Sequence, residues 1–472
     1  MRRGKLLTPQ EKSGIKSGRW EIDCPEMELR SRASDGDSFR GPGLIRVTES
    51  GDITFKLFAK AKEPQKDEIF TFGGPVAGTV LPNDSYFDLV ARDSLGRVWN
   101  ASRLSAESDT NWAMSTVVWA GELPALVHRE EIGGEVRRGT ITLEFFSAVE
   151  LPCNATTESE RSVAGARERS WAMNAARFAS AGYDFALDKT VGGLVVHVTA
   201  PSTDIPATLE VRVTEALQFV LASSLWWSLA ERRDGGTYQV EIRRRPGGGV
   251  ATQLRRPVAH QDVDSEGKAW QLFDAYFRYV MRDTSSNWHR LSHLVHSTIE
   301  AGAGSLYALA LALAVSVEGV LRLRFAHACL PSPKFHDEVS KAQELIQTSA
   351  ILPRVRTRIN GSIGAMKGFR AQTGLERLVE MGAITAAEVA AWKELRHKAA
   401  HADQLDSLDI QTLLDLCLRL TVLFYRLVFT AIDYEGSYTD YGHRGWTERK
   451  HGRVDVDAYV IPECDDVRDG PA

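Results

Sequence analysis

Arg396 and His401 stand five positions apart in Lys393-Glu394-Leu395-Arg396-His397-Lys398-Ala399-Ala400-His401-Ala402-Asp403, with a second histidine, His397, between them. An arginine is a permanent cation whose planar fork of donors grips phosphate oxygens. A histidine takes or gives a proton near neutral pH. Together these groups suit metal-independent cleavage of RNA. The 2′-hydroxyl loses a proton and attacks phosphorus while the 5′-oxygen leaves with one, giving a 2′,3′-cyclic phosphate and a 5′-hydroxyl. In that chemistry Arg396 binds the phosphate and stabilises the charge that builds on its oxygens. His401 is the base or acid, and His397 orients it or carries the second proton.

Two plainer readings attach to the same residues. Arg396, His397 and Lys398 suit the negative end of a helix dipole whatever else they do. His397 and His401 also have the spacing of a helical metal pair. That pair lacks the glutamate a metalloprotease carries after the first histidine, and no third ligand lies nearby with convincing spacing. The expectation is therefore a site without metal or cofactor.

The elements around the motif are helical. Thr385-Ala386-Ala387-Glu388 is a capping box that starts a helix with Val389, Trp392 and Leu395 on its core face. After Asp406-Ser407, a second N-cap signal, Ile410, Leu413, Leu414, Cys417, Leu420, Phe424, Leu427 and Val428 recur at threes and fours. Leu306 to Phe325 is apolar nearly all round, so it belongs at the centre of a bundle. Glu318 on that helix either supports the site, faces water or pairs with Arg322 one turn on. Trp270, Phe273, Phe277, Val280 and Met281 mark another helical face, and Phe335 to Ser349 a further helix. Residues 353–371 read as a basic, glycine-punctuated connection. Within it Arg354, Arg356 and Arg358 alternate, either tracking an RNA backbone together with Lys398 or lying in a solvated loop.

The front half reads differently. Leu44-Ile45-Arg46-Val47 and Ile53-Thr54-Phe55-Lys56-Leu57 flank Glu49-Ser50-Gly51-Asp52, a hairpin pattern. Tyr86 to Val90, Arg97 to Trp99, Ser115 to Trp119 and Thr140 to Phe146 continue it, predicting a sandwich- or barrel-like β domain. Gly193 to Val198 and Tyr238 to Ile242 read as strands, 153–168 as a loop, and Leu209 to Ala230 as a strand leading into a helix. Trp226-Trp227 reads as core. The fold class is α+β and multidomain: a polar segment 1–18, a β-rich domain 19–152, a mixed α/β extension 153–260, a helical bundle 265–435 and a polar tail 436–472.

The totals bound the rest. At 472 residues the chain exceeds one ordinary core. A formal net charge of -5 argues against wholesale coating of nucleic acid while allowing a local basic site. Five scattered cysteines with no CxxC pair argue against a disulfide framework or zinc ribbon, and fit a reducing cytoplasm. Leu306 to Val315 is about half the roughly 20 residues of a spanning helix, so no membrane segment is expected. Gly73-Gly74-Pro75-Val76-Ala77-Gly78 lacks the end of a phosphate-binding loop, and Gly247-Gly248-Gly249 opens no dinucleotide unit.

Arg396-His397-Lys398-Ala399-Ala400-His401, set between a capped helix and a long apolar helix, resembles the HEPN superfamily signature: arginine, a polar residue, and histidine four to six residues on. The resemblance covers roughly residues 265–435. It implies an all-α HEPN-like bundle, metal-independent RNase activity and a cleft shared by a homodimer through the helical domain. Closed two-fold dimers are the commonest oligomers, and a dimer would bring a second histidine. The second motif position is His397, where asparagine or aspartate is more usual. A β-rich front half with Gly18-Arg19-Trp20 and Gly41-Pro42-Gly43-Leu44 is similar to ApeA-type anti-phage proteins. That likeness implies a defence role, tRNA or another structured RNA as substrate, and an N-terminal domain sensing a phage-derived trigger. The competing class is a non-catalytic binding protein whose bundle is an interaction module.

Overall fold

The computed structural model describes residues 6–34, 36–60, 82–111, 116–133, 138–163, 166–245, 254–259, 263–264, 266–400 and 409–456. The chain divides into two compact units. The first comprises Met1–Leu151, Ala155–Glu210 and Leu225–Ala251, and the second Pro152–Asn154, Val211–Ser224 and Thr252–Ala472.

The first unit is β-rich. Its first eight strands are β1 (Glu21–Ser31), β2 (Ser38–Val47), β3 (Ile53–Lys60), β4 (Phe87–Arg92), β5 (Val98–Leu104), β6 (Ala106–Asn111), β7 (Thr116–Leu123) and β8 (Ala125–Glu131). They are followed by β9 (Thr140–Phe145), β10 (Ala155–Val163), β11 (Ala166–Ser180), β12 (Tyr183–Thr190), β13 (Gly193–Thr199), β14 (Leu229–Asp234) and β15 (Thr237–Arg243). All fifteen join one sheet in the order β10-β11-β12-β13-β9-β14-β15-β8-β5-β4-β1-β2-β3-β7-β6. Trp99↔His128 and Asn100↔Val127 form a narrow ladder that links the early strands to the later ones. Alternation drives the packing. Ile53, Phe55, Leu57 and Ala59 of β3 are buried while Lys56, Phe58 and Lys60 are exposed. Each large apolar side chain so buried contributes about 1.5–3 kcal/mol.

The glycine-rich signatures of the front half have packing causes. Gly18 ends the first helix in the left-handed conformation (φ 70°), releasing Trp20 to pack edge-on against Trp99 at 5.6 Å. Gly41 and Gly43 sit in β2 where a Cβ would meet the backbone oxygens of Phe58 and Lys56 in β3, at 1.9 and 2.2 Å. β2 and β3 pair through this region.

Several expectations are corrected. The polar segment 1–18 carries a helix of its own: Pro9–Ser17 form α1 with a capping box between Thr8 and Glu11. Glu11 pairs with the buried Arg97 at 2.6 Å, and Arg97 pairs with Asp93 at 2.6 Å. The expected loop at 153–168 is mostly strand, since Ala155–Val163 pairs with Ala166–Ser180 as a hairpin. Leu209–Leu221 is α2, a helix from its first residue, and the strand (β14) follows it. A continuous apolar run fits either element, and only tertiary packing decides.

From Val211 onward α2 groups with the second unit, where Phe219 stacks on Tyr276 at 4.5 Å. The sequence reading instead had the whole of 153–260 with the β-rich region. The second unit continues with α3 (Lys268–Val280), α4 (Arg290–Gly304), α5 (Leu306–Arg324), α6 (Pro333–Thr348), α7 (Pro353–Gly364), α8 (Ala371–Glu380), α9 (Ala386–Ala400) and α10 (Ile410–Ala431). The expected connection at 353–371 is therefore largely helix: proline at its first turn presets the backbone. Helices α4 and α8 have no counterpart in the sequence reading. Gly436–Asp440 and Thr447–His451 pair as a hairpin, β16 and β17, where the sequence suggests only a polar tail.

Helix α5 packs against α4, α9 and α10. By length and composition it is the one described helix apolar enough to cross a membrane. Cys24, Cys153, Cys329 and Cys417 are buried and in no disulfide among the described residues; burial pushes the Cys24, Cys329 and Cys417 thiols up to about 12, so these three are not poised as nucleophiles. Cys464, Gly73–Gly78 and Gly247–Gly249 lie outside the described residues.

Candidate functional site

Helix α9 carries the arginine motif, and its start is fixed locally. Glu388 Oε2 accepts from Thr385 N at 2.6 Å, and Thr385 Oγ1 accepts from Glu388 N at 3.3 Å. The same carboxylate accepts from Arg426 of α10 at 3.0 and 3.1 Å. Val389, Trp392 and Leu395 are buried, as their spacing predicts. Trp392 donates its indole N–H to the Ala314 carbonyl of α5 at 3.4 Å. One turn on, Arg396 donates its Nε–H to Glu318 of α5. Helices α9 and α5 therefore touch at two successive levels, one apolar with a polar pin and one ionic.

Arg396 is neither buried nor free. Its side chain keeps 54% of its exposure, against 25% for Glu318. Its guanidinium also lies 5.5 Å from the Trp392 ring, a distance at which cation and ring attract. Among the described residues only Nε is engaged in a hydrogen bond. The terminal edge of the fork is the part available to an anion. Glu318 thus pairs with Arg396 and not with Arg322, which instead lies over Phe369 at 4.1 Å. Lys393 pairs with Glu376 of α8 at 2.8 Å, and Lys398 with Glu394 at 3.0 Å.

His397 is exposed on α9 next to Arg396. His401 lies outside the described residues. Arg354 and Arg358 are exposed on α7 and, four apart, share one face of it. Arg356 is turned away from them. It donates to the carbonyls of Gln347 at 3.1 Å and Ile351 at 2.9 Å, closing the end of α6 against the start of α7. Alternation in the sequence put the three arginines together; the helical period separates one from the other two. The Trp392 pin and the Arg396–Glu318 pair escape sequence reading, because neither partner spacing is local. No group of three or more His, Cys, Asp or Glu that could hold a metal occurs among the described residues.

No family model matches the chain, and neither a curated protein nor a solved structure matches it.

Proposed function

We propose that the chain is a metal-independent RNA endonuclease of HEPN type that acts in anti-phage defence, with the β-rich unit as sensor or regulator. The observation that carries this reading is the half-exposed Arg396, braced by Glu318 and Trp392 beside His397. A braced cation with an open edge is what phosphate binding needs, because a preorganised donor loses nothing in reorienting as charge develops. In this reading Arg396 stabilises the phosphoryl oxygens, and His401 and His397 move the protons. Glu318 fixes the arginine, and the substrate is tRNA or another structured RNA. The protein works in the cytoplasm as a homodimer. An exposed apolar row on α5, Tyr307, Leu311 and Val315, favours a protein contact on the helical unit. A second copy would bring a second His401, so that His397 need only orient the first.

The same row favours a second reading, in which the helical unit is a non-catalytic interaction module. Incubating a total RNA pool with the purified full chain in EDTA separates the two. The nuclease reading expects cleavage by wild type and its loss in both Arg396→Ala and His401→Ala. An inactive wild type, or activity unchanged in both variants, removes it.

A further inference from the structure

The β-rich unit has a polar recess that the nuclease reading does not use. Strands β13, β9 and β14 are neighbours in the sheet, and their register aligns outward-facing side chains in two rows. Thr142 lies between His197 and Glu231, and Thr140 between Thr199 and Arg233. With strands about 4.8 Å apart, each row spans about 10 Å. Leu6, Leu7 and Lys12 wall one side, and the recess encloses about 390 Å³. That lies within the range of small-molecule sites, about 300–1,000 Å³.

The wall is anchored. Besides the Glu11–Arg97 pair, Arg245 donates to the Ile15 carbonyl at 3.0 Å and Lys16 to the Val191 carbonyl at 3.0 Å. Inside, polar groups are oriented in advance. The Thr142 hydroxyl meets His197 Nδ1 at 3.0 Å. Glu231 is matched twice, by Lys12 and by the Tyr238 hydroxyl at 2.6 Å.

The charges favour an anion. Arg233 is exposed at the rim and has no ion pair among the described residues. Lys16 engages only a hydroxyl and a carbonyl there. Glu144, two positions along β9 from Thr142, does not line the recess. With Glu231 matched by Lys12, Arg233 leaves the recess lining a surplus of one positive charge.

We propose that this recess binds a small metabolite bearing a phosphate or carboxylate group, of up to mononucleotide size. Its anion lies against Arg233, and its remaining polar atoms meet Thr140, Thr142, Thr199 and His197. The site is independent of the nuclease chemistry and gives the β-rich unit a small-molecule ligand.

Isothermal titration of the full chain with adenosine 5′-monophosphate, ribose 5-phosphate and succinate tests it, with the two phosphates and the dicarboxylate distinguishing the anion. Saturable one-to-one binding of at least one probe is expected, weakening with salt. Arg233→Gln should weaken it by about tenfold, the loss of one charge-assisted hydrogen bond. Because Arg233 is exposed, that variant keeps the core intact; Thr142→Val should weaken binding without altering the salt dependence. No saturable binding by any probe, or equal affinity in wild type and both variants, overturns the proposal.

Discussion

Arg396 of α9 donates its Nε–H to Glu318 of α5, one turn beyond the point where Trp392 donates to Ala314. The tryptophan fixes the spacing of the two helices, and the ion pair fixes the direction of the guanidinium. A positioning role for Glu318 has a distinct signature. If the chain cleaves RNA, Arg396→Ala should cost about 10²–10³ in rate, the usual loss of an oxyanion-stabilising donor. Glu318→Ala should cost less, about tenfold, and Glu318→Gln should recover most of that, since an amide oxygen still accepts from Nε. EDTA-resistant cleavage by variants of equal thermal stability is the measurement. Equal loss in the alanine and glutamine variants would make the carboxylate's charge, not its position, the relevant property.

The three arginines of α7 should separate by assay. Arg356 closes the turn between α6 and α7 through two carbonyls, so Arg356→Ala should destabilise the hairpin by about 1–3 kcal/mol. Arg354→Ala with Arg358→Ala should leave stability unchanged. It should also weaken binding to single-stranded RNA, lowering the salt slope by about 1.4, the value for two lost phosphate contacts. Binding titrations at several salt concentrations, beside thermal melts, check both halves. A destabilised double variant would remove the division of labour.

Burial, with Arg426 nearby, holds the His451 pKa down to about 4. Its Nε2 lies 3.3 Å from the Thr430 hydroxyl, and its ring lies 5.5 Å from Phe429. The unfolded chain returns this histidine to about 6.5, so between those values the unfolded state binds more protons. The contribution is full above pH 6.5, is lost as pH falls towards 4, and is flat below. It amounts to about 3 kcal/mol at about 1.4 kcal/mol per unit. Urea midpoints measured from pH 7.5 to 4 should fall for wild type and fall less for His451→Gln. Parallel curves would show that other groups carry the acid sensitivity.

Local patterns in the sequence carried much of this architecture. The period-two strands around Ile53 to Leu57, the Thr385–Glu388 box and the Val389/Trp392/Leu395 face all depend on neighbours within one turn or hairpin, and each is present in the structure. What failed depends on distant partners. Helix α2 is apolar enough for either element, and only its stacking on α3 selects one. The polar text of β10 and β11 alternates too weakly to reveal a hairpin that is held by backbone pairing. At the candidate site Arg396 and Glu318, 78 positions apart, are joined by helix packing. No spacing rule reaches that far.

Arg212 shows how α2 is held in the helical unit. The residue is fully buried. It donates to Glu215 at 2.9 Å and to the carbonyls of Ser285 at 2.8 Å and of Asp283 and Asn287 at 3.1 Å, drawing the loop before α4 onto α2. Glu215 in turn accepts from the His289 backbone N–H at 2.7 Å, one position before α4 begins. Arg212→Met should therefore cost about 3–5 kcal/mol, because it strands a buried carboxylate and three carbonyls. Adding Glu215→Leu removes the stranded charge and should restore part of that loss, but not all, since the His289 N–H and the carbonyls still lack partners. Urea unfolding of the single variants and the pair, as a double-mutant cycle, measures the coupling. Additive losses would mean that the carbonyl contacts, and not the ion pair, fasten the loop to the helix.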